Sequence, residues 1–143
     1  MSVIFTLALI FLDQITKWLT IRFLASGESV TLIPRILSLT YVENRGAAFG
    51  ILVGARWFFV AVTLLVVIAL WVYAVKKKPS SLLFKISAPL ICAGAVGNLI
   101  DRIARGFVVD MIEATFIDFP VFNVADCCVV IGAILFCLYV IKE

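Results

Sequence analysis

The sequence predicts an integral membrane protein, mainly α, with four transmembrane helices and a small extramembrane β-element between helices 1 and 2. Three observations carry that prediction. The 143 residues are 64% hydrophobic and only 15% charged, against about 25% charged in a soluble domain, and the mean hydropathy is +1.20. Four apolar runs approach the ~20 residues that a bilayer-spanning helix needs. Between the first two, a segment punctuated by Gly and Pro switches to the period-2 alternation of strands. The whole chain, residues 1–143, reads as one membrane-embedded domain.

Residues 3–21 form the first span, interrupted by Asp13, Gln14 and Lys17. A cleaved signal peptide fits poorly, because no positive n-region precedes the run and its charges fall late. Residues 25–54 are too polar and too broken for a span, with Gly27, Pro34, Asn44, Gly46, Gly50 and Gly54 in them. Within them Leu37, Leu39 and Tyr41 alternate with Ser38, Thr40 and Val42. Residues 30–33 are placed to pair with that strand across Pro34-Arg35. Such an element is too small to fold alone and is expected to rest on the membrane surface. Residues 56–75 are the second span, closed by the basic turn Lys76-Lys77-Lys78-Pro79. Residues 82–103 and 121–141 are the third and fourth, joined by a short loop.

Four spans place both termini on one side, together with Lys76, Lys77, Lys78, Lys85 and Lys142. The positive-inside rule makes that side cytoplasmic. The opposing loops carry Arg22, Arg35, Arg45, Arg56 and Arg105, and the short Lys turn decides the orientation. Several function classes are excluded. The net charge of +3 is scattered, with no basic patch interleaved with aromatics, so nucleic acid is not a partner. With no His in the chain, imidazole bases and His-based zinc sites are absent. Cys92, Cys127, Cys128 and Cys137 show no pair at ligand spacing and read as small apolar packing residues. No metal or cofactor is expected.

The unusual residues are polar groups in or beside the spans, where an Asp or Arg costs about 2.5–3.5 kcal/mol. At ~1.5 Å per residue, Asn98 and Asp126 both lie about 8–9 Å inside the outer boundary. Asp13 and Lys17 approach the same boundary on helix 1, and Asn44 to Gly46 precede it on helix 2. Asp13 and Lys17 share a helix face at i, i+4, as a self-neutralising pair or as part of the chemistry. Gly94, Gly97, Asn98 and Asp101 form one stripe on helix 3. Its glycines permit close approach of a neighbouring backbone or an extended peptide, and the stripe is expected to border substrate. Asp101 has Arg102 beside it as a possible ion-pair partner. Asn123 is either the N-cap of helix 4 or, with Asp126, a second polar pair facing the same space.

Asp110 and Asp126 are the candidate catalytic carboxylates. Two Asp in a partly desolvated site resist double ionisation, so one keeps its proton while the other acts as a base on water. Glu113 and Asp118 occupy the same loop and compete for the role, without neighbouring Asn or Arg.

Five motifs in order resemble those of the bacterial lipoprotein signal peptidases (signal peptidase II). They are Asp13-Gln14-Ile15-Thr16-Lys17, Asn44-Arg45-Gly46-Ala47-Ala48-Phe49-Gly50, Gly97-Asn98-Leu99-Ile100-Asp101-Arg102, Val108-Val109-Asp110 and Phe122-Asn123-Val124-Ala125-Asp126. The resemblance runs through nearly the whole chain. It implies a membrane aspartic endopeptidase with Asp110 and Asp126 catalytic. Asp13, Lys17, Asn44, Gly46, Asn98, Asp101, Arg102 and Asn123 would then bind substrate or support the site. It implies that the substrates are prolipoproteins, cut just before a cysteine already carrying a diacylglyceryl group, without a metal. The expected location is the bacterial cytoplasmic (inner) membrane, in contact with lipid and as a monomer, with the active site near the outer face. Met111 departs from the family pattern, standing where an aromatic residue is common, and the basic tail of many members is missing. Two rivals come from other classes. A proton-coupled transporter is opposed by the clustering of polar groups at one face, and a non-catalytic adaptor would use the same stripe merely as interhelical glue.

Overall fold

The computed structural model describes residues 3–46 and 51–142. Four helices long and apolar enough to cross a membrane are present, as the hydropathy predicts: α1 (Val3–Leu24), α2 (Arg56–Lys77), α3 (Leu82–Ala104) and α4 (Val124–Lys142). Most of their large apolar side chains face outwards, among them Phe11, Trp18, Leu65, Trp71 and Ile134. Lipid is the solvent for which such a surface is suited. The buried stripe is concentrated on α3, which packs against all three other helices.

Small residues set that packing. A Cβ on Gly94 would strike the Ala125 carbonyl oxygen and Val129, and one on Gly97 would lie 2.5 Å from Asp13 Oδ2 and 3.2 Å from Ala125 Cβ. One on Gly132, across the seam, would lie 2.9 Å from the Ile91 nitrogen. The glycine stripe on α3 therefore takes the neighbouring helices, not an extended peptide as expected. Gly97 abuts Asp13, and of the stripe only Asn98 reaches open space. At the opposite end of the bundle Tyr73, Phe84, Phe136 and Tyr139 cluster from α2, α3 and α4, with the Tyr73 and Tyr139 hydroxyls 2.8 Å apart.

The β-element has three antiparallel strands in the order β1-β2-β3: β1 (Val30–Ile33), β2 (Leu37–Asn44) and β3 (Val108–Ala114). The first two form the predicted hairpin. Its turn is closed by the Ile36 N–H on the Ile33 carbonyl at 3.0 Å, with Arg35 at φ 62. The third strand lies where the sequence predicts a loop. It comes from between α3 and α4 and pairs Val42 with Asp110 and Asn44 with Val108. Its other edge binds Phe122, whose carbonyl accepts from the Met111 and Ile112 N–H groups at 3.0 and 2.8 Å. The chain entering α4 is thus stitched to β3, and α4 begins at Val124, three residues later than predicted.

Adding side-chain bulk at the α3–α4 seam tests this packing. Gly94→Leu should lower stability by at least ~1–3 kcal/mol through overpacking, read as thermal unfolding in detergent. The outward-facing Val62→Leu should change it by no more than about 0.5 kcal/mol.

Candidate active site

The polar residues singled out from the sequence meet at the sheet end of the bundle. At their centre is Lys17, which has no exposed surface. Its ammonium donates to Asp13 Oδ2 at 3.0 Å, Asp101 Oδ2 at 3.2 Å and Asn98 Oδ1 at 2.8 Å. Three N–H bonds meet three acceptors, so the ammonium is saturated. Each acceptor has a second task. Asp13 Oδ1 accepts the Ala125 N–H at 2.9 Å, one of the orphan donors at the start of α4, where the helix dipole also favours a carboxylate. Asp101 Oδ2 accepts the Val109 N–H at 3.0 Å, fixing β3 one residue before Asp110. Asn98 Nδ2 donates to Asp126 Oδ1 at 2.8 Å.

Of the two readings of Asp13 and Lys17, the geometry selects the ion pair, although a buried one and not an interfacial one. The Asp101–Arg102 pair does not form. Asp101 binds Lys17 and, at 2.6 Å, Arg105 Nη1. Arg102 instead donates to the Gly46 carbonyl at 3.2 Å and lies over the Phe59 ring at 4.6 Å. The reason is helical geometry: residues i and i+1 diverge, while i and i+4 share a face.

Asn123 takes the cap reading, and its amide reaches Asp110 from behind the open space rather than facing it. Its Oδ1 accepts the Asp126 N–H at 2.9 Å, and its own N–H donates to Asp126 Oδ2 at 3.1 Å. That is a reciprocal capping box at the start of α4. Its Nδ2 donates at 2.6 Å to Asp110 Oδ1. Asn44 works in the same way, its Oδ1 held by the Gly46 N–H at 3.0 Å while Nδ2 donates to Asp110 Oδ2 at 2.9 Å. In Asn44, Asn98 and Asn123 a donor holds the amide oxygen, which leaves each NH₂ group aimed at Asp110 or Asp126. Every one of the four carboxylate oxygens receives a hydrogen bond.

A cleft of about 610 Å³ opens onto these two carboxylates. Asn44, Gly46, Asn98, Arg102, Asp110 and Asp126 line it, whereas Asp13, Lys17, Asp101 and Asn123 lie buried behind it. Its remaining walls are largely apolar, from Phe119 to Phe122 and along Val129, Val130 and Ile131. Glu113 does not reach the cleft, pairing with Ser38 in the sheet. Asp118 is exposed and lines a neighbouring cavity. Ala47 to Gly50 of the second motif lie outside the described residues. Cys127, expected only to pack, lines the cleft, and Cys137 is exposed on the outside of α4. Among the described residues no three His, Cys, Asp or Glu side chains gather in a way that could hold a metal ion.

Three supporting residues drew no role from the sequence. Gln14 Nε2 bridges Asp13 Oδ2 and the Gly97 carbonyl, both at 3.1 Å. Arg105 neutralises Asp101, and Arg56 caps α3 through the Ile103 carbonyl at 2.8 Å. Gln14 was visible as a polar residue in an apolar run. Arg105 was visible only as i+4 from Asp101.

Fold and site together define a multi-pass membrane protein with a carboxylate-lined cleft at one end of its helices. Comparison with known proteins makes the class specific. The model of the family described as signal peptidase (SPase) II matches residues 5–142. The lipoprotein signal peptidase of Streptococcus thermophilus (strain CNRZ 1066) is 45% identical over 137 residues, covering 96% of this chain and 90% of its own. That of Halothermothrix orenii is 46% identical over 143 residues, covering 100% and 97%. A solved structure described as a bacterial membrane enzyme, determined by the in meso method at 1.9 Å resolution, superposes with a TM-score of 0.90. It is 37% identical, with 99% of this chain and 93% of that one covered. This chain belongs to the signal peptidase II family, which makes it a membrane-embedded aspartic peptidase.

Burial pushes the Asp110 carboxyl, in β3, from the usual 3.8 to about 6. The Asp126 charge adds to the rise, while hydrogen bonds from Asn44 and Asn123 and the Lys17 charge oppose it. An acid whose folded value is raised contributes stability that is complete below 3.8 and is lost as pH rises through about 6. At ~1.36 kcal/mol per pH unit the loss amounts to about 3 kcal/mol. Wild-type stability should therefore fall between about pH 4 and pH 7, and Asp110→Asn should lack that slope whatever its absolute stability. Thermal unfolding in detergent across this pH range measures both.

Proposed function

We propose that this chain removes the signal peptide from diacylglyceryl-modified prolipoproteins, cutting just before the lipidated cysteine, with Asp110 and Asp126 as the catalytic pair. One observation carries the assignment. Three oriented asparagine amides converge on these two carboxylates, at the point where a largely apolar cleft meets the sheet. Such a cleft suits a substrate that is itself lipid-anchored and apolar on one side of the scissile bond.

The chemistry follows from the environments. Asp110, whose carboxyl burial raises to about 6, takes the acid role: in its protonated form it donates a hydrogen bond to the scissile carbonyl oxygen. Asp126, at the positive end of α4, takes a proton from water as its oxygen attacks the carbonyl carbon. The tetrahedral species collapses as the proton passes to the leaving nitrogen and the C–N bond breaks. The products are a signal peptide carboxylate and the free amine of the lipidated cysteine. Asn98 and Asn123 hold the pair in register, and Arg102 and Gly46 border the space for the peptide. The reaction needs no metal, because the carboxyl pair supplies both acid and base.

The location proposed is the bacterial cytoplasmic membrane, with the site near its outer face, both termini inside, and a monomer as the working unit. The Lys76–Lys78 turn carries the orientation. In a Cys-free background, a cysteine at Ser80 should resist an impermeant thiol reagent in intact cells and one at Ser29 should react. The reverse pattern overturns the orientation.

The catalytic pair has its own test. Asn matches Asp in shape but can neither ionise nor take the proton. Asp110→Asn and Asp126→Asn should each lose at least ~10³ in rate, with the double variant scarcely slower, since residues acting as a unit are non-additive. Asp118→Asn and Glu113→Gln should retain most activity. The wild-type rate should be bell-shaped in pH, its limbs belonging to the pair. Cleavage of a lipid-modified prolipoprotein, followed by gel shift, measures all of these. Normal cleavage by Asp110→Asn would remove it from the mechanism.

A further inference from the structure

The open space at the carboxylates has two arms. The cleft described above runs from Asp110 along α3 and α4, past Cys127, Val130 and Ile131. A second cavity, of about 590 Å³, shares Asn44, Gly46, Asp110, Phe119, Pro120 and Val121 with the first, so both border Asp110. It extends along Val42, Glu43 and Arg45 at the end of β2 and past Asp118. One arm lies at the level of the helices and is largely apolar. The other lies at the level of the sheet and carries charge. A peptide cut at carboxylates where the arms meet has one flank in each.

Charge in the sheet-level arm is not balanced. Glu43 is held by Arg45 Nη2 at 2.9 Å, and Arg45 also lies 5.5 Å from the centre of the Phe107 ring. Those two charges cancel. Asp118 is exposed, and among the described residues no hydrogen bond or ion pair engages its carboxylate. Its neighbours Ile117 and Phe119 are apolar, and Phe119 and Pro120 begin the wall common to both arms. The arm therefore presents one uncompensated negative charge beside the path leading away from Asp110.

We infer that the sheet-level arm seats the first few residues following the lipidated cysteine, and that Asp118 makes the enzyme favour basic over acidic residues there. This rests on the peptidase reading above. The signal peptide and the acyl chains are apolar and match the helix-level arm, which leaves the polar mature chain for the other. Asp118 is a specificity residue on this assignment and takes no part in bond breaking. A carboxylate in contact with water interacts weakly with a passing Lys, so the preference is graded. It acts on binding of ground state and transition state alike and belongs in KM.

The experiment uses the full chain in detergent with diacylglyceryl-modified prolipopeptides that differ only just after the cysteine, bearing Lys, Ser or Glu. At low salt kcat/KM should rank Lys above Ser above Glu, with about three- to tenfold between the extremes, as expected for an exposed charge pair that reverses sign. The spread should lie in KM and should shrink towards unity at ~1 M salt, where screening acts over about 3 Å. Asp118→Asn should flatten the ranking while cleaving the Ser peptide at the wild-type rate. Asp118→Lys should invert it. A flat wild-type ranking at low salt overturns the inference, and so does a ranking that persists unchanged in Asp118→Asn. Failure to cleave any of the three peptides would instead sink the peptidase reading, and the inference with it.

Discussion

A buried ammonium without partners costs several kcal/mol, and Lys17 is wholly buried among three acceptors contributed by two helices. The rest of the site depends on that contact. Lys17, Asp13, Asp101 and Arg105 balance as two positive and two negative charges. Removing the ammonium would leave two carboxylates facing each other in a dry interior, a loss of about 3–5 kcal/mol for a broken buried pair. Such a cluster is weak evidence for stability, because a well-packed apolar core could do as well. What an apolar core could not do is position polar atoms elsewhere. Asp13 holds the first turn of α4, Asp101 holds the start of β3, and the Asn98 amide can point only one way because the ammonium occupies its oxygen. The three elements bearing Asp110 and Asp126, or touching them, are located by one lysine.

Asn123 shows how that placement becomes chemical geometry. A helix cap needs a side-chain oxygen, and a carboxylate needs a donor. The amide supplies both from one planar group, so the start of α4 and the orientation of Asp110 are a single constraint. The reciprocal bond from the Asn123 N–H to Asp126 ties the second carboxylate into the same box. Any shift of α4 along its axis would disturb both acids together.

Much of this was legible in the chain, for reasons that also mark the limits. Spans show because about twenty apolar residues in a row suit hydrocarbon and little else. The β1–β2 hairpin shows because one face is polar. The third strand did not show, because Val108 to Met111 are all buried and leave no period-2 alternation; strands covered on both faces read as plain apolar runs. Its partner, Asn44, lies 66 residues away from Asp110 in sequence. Asp13, Lys17, Asn98, Asp101 and Asp126 were visible as anomalies against hydrocarbon, whereas Arg56 and Arg105 were not. The pairing within the site was not visible either, since adjacency suggested Arg102 for Asp101 where helix geometry supplies Lys17 and Arg105. Glycine spacing signalled close approach correctly, but no pattern in one helix states which neighbour fills the space.

The strand that the sequence hid is the one that sets the acidity of Asp110. In a loop, its carboxyl would face water and keep an ordinary value near 4. In β3 it is flanked by β2 on one edge and by the Phe122 segment on the other, with α3 and α4 behind, and 1% of it is exposed. Burial on that scale raises the carboxyl towards neutrality, and two donated amide bonds stop the rise at about 6. Burial favours the protonated acid and the hydrogen bonds favour the carboxylate, so the two oppose each other. The acid role proposed for Asp110 suits a group that sits between those limits. The small sheet supplies the burial, and the asparagines supply the opposing pull.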